Sequence, residues 1–128
     1  MRQSIMDEIV VALMSGPKDG DMLTFDTLTI EPQQPIELTI GRREGCDICL
    51  NYDSQVSREH AVVIYDGERF WLEDTSSTNG TFVDDERIEG RVEIRPGQMF
   101  RVGRTWLRVE PSLRLTPPNL DLDDDLPF

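Results

Sequence analysis

The chain has 128 residues, enough for one domain with a substantial core and too few for two. No apolar run is long enough to span a bilayer, and residues 9–14 follow Asp7 and Glu8 without the basic n-region of a secretory signal, so the expected location is the cytoplasm, with no membrane partner. A formal net charge of −12 argues against direct binding to a nucleic-acid backbone and leaves room for a local phosphate site.

Strand signals recur along the chain at short intervals, with turn residues between them. Residues 1–7 read as an N-terminal extension. Glu8–Met14 is an apolar run closed by Ser15-Gly16-Pro17-Lys18-Asp19-Gly20, a strong turn signal. Met22–Phe25 and Ile36–Ile40 follow as strands, and Asp47–Leu50 as a short one. Ala61–Tyr65 has the continuous apolar character of a buried strand and ends at Asp66-Gly67. Arg69–Glu73 alternates. Thr81–Val83, Glu86–Ile88 and Val92–Ile94 are short and edge-like. Gln98–Val102 and Thr105–Val109 make a last hairpin across Gly103-Arg104. The predicted class is all-β, a two-sheet β-sandwich of about eleven short strands over residues 8–111. After Glu110 the prolines 111, 117 and 118 break any ladder, and residues 112–128 read as an acidic disordered tail.

Cys46 and Cys49 form a C-x-x-C pair. Zinc needs about four ligands, and the chain offers one His and no further Cys, so no metal is expected. A redox motif would need a βαβ setting, which is absent. If residues 47–50 form a strand, an offset of three puts the sulfurs on opposite faces, as core or turn thiols.

Three clusters sit where strand-like runs meet loops: Gly41-Arg42, Ser57-Arg58-Glu59-His60 and Thr78-Asn79-Gly80-Thr81. They offer guanidinium groups, hydroxyls and a side-chain amide, a donor set for a phosphate with nearly two charges and three acceptor oxygens. All thirteen cationic residues but Lys18 are arginine, whose planar fork suits bidentate phosphate contacts. Gly41 is expected to let the chain turn while Arg42 reaches outward. Asn79-Gly80 is also a plain hairpin turn signal, and His60 reads as a hydrogen-bonded structural histidine.

In order and spacing, with Asp74-Thr75-Ser76-Ser77 before the third cluster and Pro96-Gly97 before the last hairpin, these clusters resemble the forkhead-associated domain, a phosphothreonine-reading module of SMAD/FHA type. The resemblance covers roughly residues 8–111. It implies loops that converge at one end of the sandwich. Arg42 and Ser57 would bind the phosphate, and Arg58 would flank it. Thr78 would hold the phosphate or the loop, and Asn79 would grip the peptide backbone. His60, Gly41 and Gly80 would support the site. The implied role is an adaptor in Ser/Thr kinase signalling in a bacterial cytoplasm. Its partners would be a phosphothreonine-containing protein and that protein's kinase, with no cofactor.

Ser57, His60 and Asp74 also invite a hydrolase reading. That reading lacks a G-x-S-x-G elbow around Ser57, and no G-x-x-x-x-G-K-[ST] loop exists for a nucleotide. An enzyme is not expected.

The tail carries its own expectations. Asp123-Asp124-Asp125-Leu126-Pro127-Phe128 resembles the C-terminal tip of bacterial single-stranded-DNA-binding proteins, which recruits replication and repair proteins. Phe128 would fill an apolar pocket, with its α-carboxylate on a basic residue. The tail would then be the main recruiting element of a scaffold, or else an acidic segment that aids solubility. Thr116, once phosphorylated, would make a third alternative, folding back onto the domain's own loops as an autoinhibitor.

Overall fold

The computed structural model describes residues 8–26 and 35–111. The expectations for residues 1–7, for Thr116 and for the tip Asp123–Phe128 lie outside the described residues.

Among the described residues there are eleven strands: β1 (Glu8–Leu13), β2 (Met22–Asp26), β3 (Ile36–Gly41), β4 (Ile48–Cys49), β5 (Ala61–Tyr65), β6 (Phe70–Asp74), β7 (Thr81–Val83), β8 (Glu86–Arg87), β9 (Arg91–Ile94), β10 (Met99–Val102) and β11 (Thr105–Val109). They form two facing sheets, one of six strands in the order β2-β1-β11-β10-β7-β8 and one of five in the order β4-β3-β5-β6-β9. This is the predicted all-β sandwich. A 3-10 turn at Gly16–Lys18, with Pro17 in its first positions, occupies the Ser15–Gly20 turn.

Alternation builds the core. Ile9, Val11 and Leu13 of β1, Phe100 and Val102 of β10, and Leu107 and Val109 of β11 point inward from the six-stranded sheet. Leu38 and Ile40, Val63, Leu72 and Ile94 meet them from the other sheet. β5 is buried along its whole length because it is central. On its outer face Ile64 stands in register between Glu37 and Trp71, and Val62 between Thr39 and Glu73, so both have cross-strand neighbours on either side.

Local turn chemistry fixes the hairpins. Asp66 Oδ1 accepts the Arg69 N–H at 2.8 Å and the Glu68 N–H at 2.9 Å, and Oδ2 accepts Trp71 Nε1–H at 3.0 Å. These bonds, the Arg69 and Glu68 amides foremost, hold the Asp66 carboxyl below the usual carboxylate range. Asp84 (φ 53) and Asp85 (φ 66) form the two-residue turn between β7 and β8, with both residues left-handed as a primed turn requires.

Two sequence expectations need correction. β4 begins only at Ile48, parallel to β3, so Cys46 lies in the turn before it and the two-face argument for a 47–50 strand does not apply. Both cysteines are free thiols: Cys46 Sγ–H donates to Arg58 O at 3.4 Å and Cys49 Sγ–H to Arg42 O at 3.7 Å. Burial pushes the Cys46 thiol pKa up. Asn79-Gly80, in turn, closes no hairpin. It carries the chain from β6 in one sheet to β7 in the other.

The register gathers the loops of interest at one pole. β3 ends at Gly41, beside the start of β5 (Ile40 opposite Ala61) and hence beside the end of β6 (Ala61 opposite Asp74). In the other sheet Val102 pairs with Thr81 and Thr105, so the β10–β11 turn reaches the same pole.

Candidate functional site

Two loops meet a third on its three consecutive residues 55–57. The Asn79 amide Nδ2–H donates to Gln55 O at 2.8 Å. Arg42 Nε–H donates to Val56 O at 2.9 Å. The Thr78 backbone N–H donates to Ser57 Oγ at 3.0 Å. The backbone joins in, with Arg42 N–H on Ser57 O at 3.0 Å and Arg43 N–H on Arg58 O at 3.3 Å. Arg42, Ser57, Thr78 and Asn79 are therefore assembled at one place, although up to 37 residues separate them in sequence (42 to 79).

The unused valences decide the chemistry. Because Ser57 Oγ accepts from Thr78, its own hydrogen is free to donate. Among the described residues, no hydrogen bond or ion pair engages the Arg42 Nη groups, the Arg58 guanidinium, the Thr78 hydroxyl or Asn79 Oδ1. Arg43 is different: its Nη2 lies 2.7 Å from Glu59 Oε2 on the surface. The rim thus presents two cations without ion-pair partners among the described residues, beside the half-buried Ser57 and the exposed Thr78 hydroxyls, a donor set of the kind that an anion can take.

His60 lies beneath this rim, with 0% of its surface exposed. Its Nδ1 accepts the Ser57 backbone N–H at 3.0 Å, which places the ring hydrogen on Nε2, and Nε2–H donates to Gly80 O at 2.8 Å. The ring thus ties the second cluster to the third. It makes no hydrogen bond to Ser57 Oγ or to Asp74, whose carboxylate instead accepts the Ser77 N–H (2.8 Å) and hydroxyl (2.9 Å). Ser57, His60 and Asp74 do not form a proton relay.

Gly41 corrects an expectation. It is absent from the left-handed region, so a tight turn is not what requires it. A Cβ there would stand 2.1 Å from the Arg58 carbonyl oxygen, so close approach of two backbones is the constraint. Gly80 does adopt a positive φ, 91°, and a Cβ there would meet Arg87 Nε at 2.7 Å.

A family model described as the FHA domain matches residues 38–103. The chain belongs to the FHA domain family. The FHA domain-containing protein FhaB of Mycobacterium tuberculosis is 32% identical over 89 residues, 70% of this chain and 55% of that protein, so the chain spans about half the length of this curated relative. The FHA domain of the CT664 protein from Chlamydia trachomatis superposes with a TM-score of 0.70 at 21% identity, covering 82% of this chain and 98% of that one. A domain solved in a study of phosphothreonine-dependent FHA domain interactions gives a TM-score of 0.64 at 25% identity, covering 82% and 97%.

Several residues that build this FHA rim had no signal in the sequence. Gln55 and Val56 act through backbone carbonyls, which every residue type carries. Ser77 Oγ accepts the Gly80 N–H at 2.9 Å and so shapes the Asn79 loop, but its position in a Ser/Thr run made it one hydroxyl among several. No group of three His, Cys, Asp or Glu side chains among the described residues is placed to hold a metal ion. No helix among them is long and apolar enough to cross a membrane.

Proposed function

We propose that this domain binds phosphothreonine peptides and acts as an adaptor in Ser/Thr kinase signalling in the cytoplasm, with residues 8–111 as the binding unit. The observation that carries the reading is the rim built on residues 55–57, where Arg42 Nη, the Arg58 guanidinium and the Thr78 hydroxyl are left without partners among the described residues and Ser57 Oγ, accepting from the Thr78 N–H, keeps its own hydrogen to donate. Arg42 and Ser57 hold the phosphate, with Thr78 beside them and Arg58 as a flanking cation. Asn79 is anchored through Nδ2 and offers Oδ1 to a peptide N–H. The neighbour from the study of phosphothreonine-dependent interactions supports the same direction. The partners are a phosphorylated protein and the kinase that modifies it.

Each charge-assisted bond contributes about 1.5–3 kcal/mol net, and ordering of the peptide offsets much of the sum. The expected dissociation constant is about micromolar. An oriented library of phosphothreonine peptides, followed by calorimetry with the selected peptide, tests the reading. Dephosphorylation abolishes binding, and Arg42→Ala weakens it by about 100-fold or more while the protein stays folded. An Arg42→Ala protein that binds like wild type removes the site.

Residues 123–128 suggest a second binding element. The tip recruits a protein that recognises single-stranded-DNA-binding-protein tips, through the Phe128 ring and the aspartates before it. Phe128→Ala abolishes such recruitment; an unchanged interaction leaves the tail a solubility segment. Repeating the phosphopeptide titration without residues 112–128, before and after kinase treatment, decides whether Thr116 competes for the rim.

A further inference from the structure

Asp53 is the buried carboxylate of the described domain, 5% exposed, and nothing in the proposed binding scheme uses it. Its Oδ1 accepts the Gln55 N–H at 2.9 Å. Its Oδ2 accepts the Arg104 N–H at 2.8 Å and the Thr105 hydroxyl at 2.7 Å. Its own carbonyl accepts the Val56 N–H at 3.1 Å. Gln55 and Val56 are the two residues whose carbonyls receive Asn79 and Arg42. The turn that grips Asp53 also presses on this segment, because a Cβ on Gly103 would stand 2.6 Å from Val56 Cγ2 and 3.0 Å from Asp53 Oδ2.

We propose that Asp53 is a positioning residue for phosphopeptide recognition: it locks residues 55–57 onto the β10–β11 turn, and thereby sets where Arg42, Ser57 and Asn79 stand. This rests on the reading of the rim as the phosphopeptide site. Three donors from two directions converge on the side chain, and only a carboxylate has acceptor capacity on both oxygens; an asparagine has one acceptor oxygen. Burying a charge is unfavourable unless such donors satisfy it, so the residue type follows from the clamp and not from solubility. The rim, shared by two loops of the five-stranded sheet and the β6–β7 crossing, is backed through Asp53 by a turn of the six-stranded one.

Two variants of the full chain separate positioning from general stability. In Asp53→Asn the amide oxygen stays with the two donors of Arg104 and Thr105, and its NH2 faces the Gln55 N–H. In Thr105→Val the Oδ2 side loses one donor and the Gln55 bond survives. Both variants lower Tm by a few degrees. Affinity for the library-selected phosphothreonine peptide falls about tenfold in Asp53→Asn and stays within about twofold of wild type in Thr105→Val. NMR hydrogen exchange gives a second readout that needs no ligand: the Gln55 N–H and Arg42 Nε–H exchange about tenfold faster in Asp53→Asn alone. Unchanged affinity and exchange in Asp53→Asn overturn the proposal, as does an equal loss in both variants. If Asp53→Asn does not fold, the wild-type protein decides. There the Gln55 amide exchanges as slowly as the amides of β5, and exchange at the rate of an open loop overturns the clamp. Failure of wild type to bind any phosphothreonine peptide removes the function reading, while the exchange arm still decides the role of Asp53.

Discussion

Gly41→Ala is expected to destabilise the domain by about 3 kcal/mol or more, because the added methyl group has nowhere to go. Its carbon would lie 2.1 Å from Arg58 O, 2.9 Å from Arg58 C and 2.8 Å from Cys46 Sγ. The Arg58 carbonyl is a backbone atom pinned by two donors, Arg43 N–H and Cys46 Sγ–H, and cannot withdraw without releasing both. Strand β3 would have to separate from the segment that carries Ser57, so phosphopeptide affinity falls with stability. Urea denaturation measures the first effect and calorimetry the second. A Tm within a degree or two of wild type would show that this close approach opens easily.

His60→Ala is the second large effect. The ring is fully buried and makes one hydrogen bond through each nitrogen. Truncation leaves the half-buried Ser57 N–H and the buried Gly80 carbonyl without their partners, at up to about 1–3 kcal/mol each, and opens a cavity where the ring had been. A loss of about 3–5 kcal/mol follows. The Ser57 and Gly80 loops then lose their shared post, so the variant binds phosphopeptide weakly even in conditions where it remains folded. Thermal denaturation monitored at the two tryptophans reads the stability change. A stability loss below about 1 kcal/mol would mean that water replaces the ring at both positions without penalty.

The strands were legible where the pattern was period two or a buried run. Ile9, Val11 and Leu13 alternate, and Ala61–Tyr65 is apolar throughout because it sits between two strands. Of the strand pairings, the β10–β11 hairpin across Gly103-Arg104 was legible, and the long-range order of the sheets was not. Nothing in Asp74–Thr81 announces a crossing between sheets, and its Asn-Gly pair carries the signal of a hairpin. Of the candidate site, the side chains that present charge and hydroxyls could be named through their resemblance to a family pattern. The frame that holds them could not. Backbone carbonyls at Gln55 and Val56 leave no trace in residue type, and Asp53 in the run Asn51-Tyr52-Asp53-Ser54 has the composition of a solvated turn. Burial is a property of the assembled sheets, and a loop aspartate acquires it only when a distant turn closes over it.

The pairing of β1 with β11 has a last consequence. Val11 lies opposite Val109, and the Glu110 N–H reaches Val10 O at 2.8 Å. β11 starts at the pole of Arg42, Ser57 and Asn79 and runs away from it, and β1 runs antiparallel, so Glu8 and Pro111 emerge side by side at the far pole. A unit with adjacent ends can be spliced into a longer polypeptide, or circularly permuted, without its neighbours reaching the rim. The architecture thus sets the two ends of the described unit opposite the pole that carries Arg42, Ser57 and Asn79.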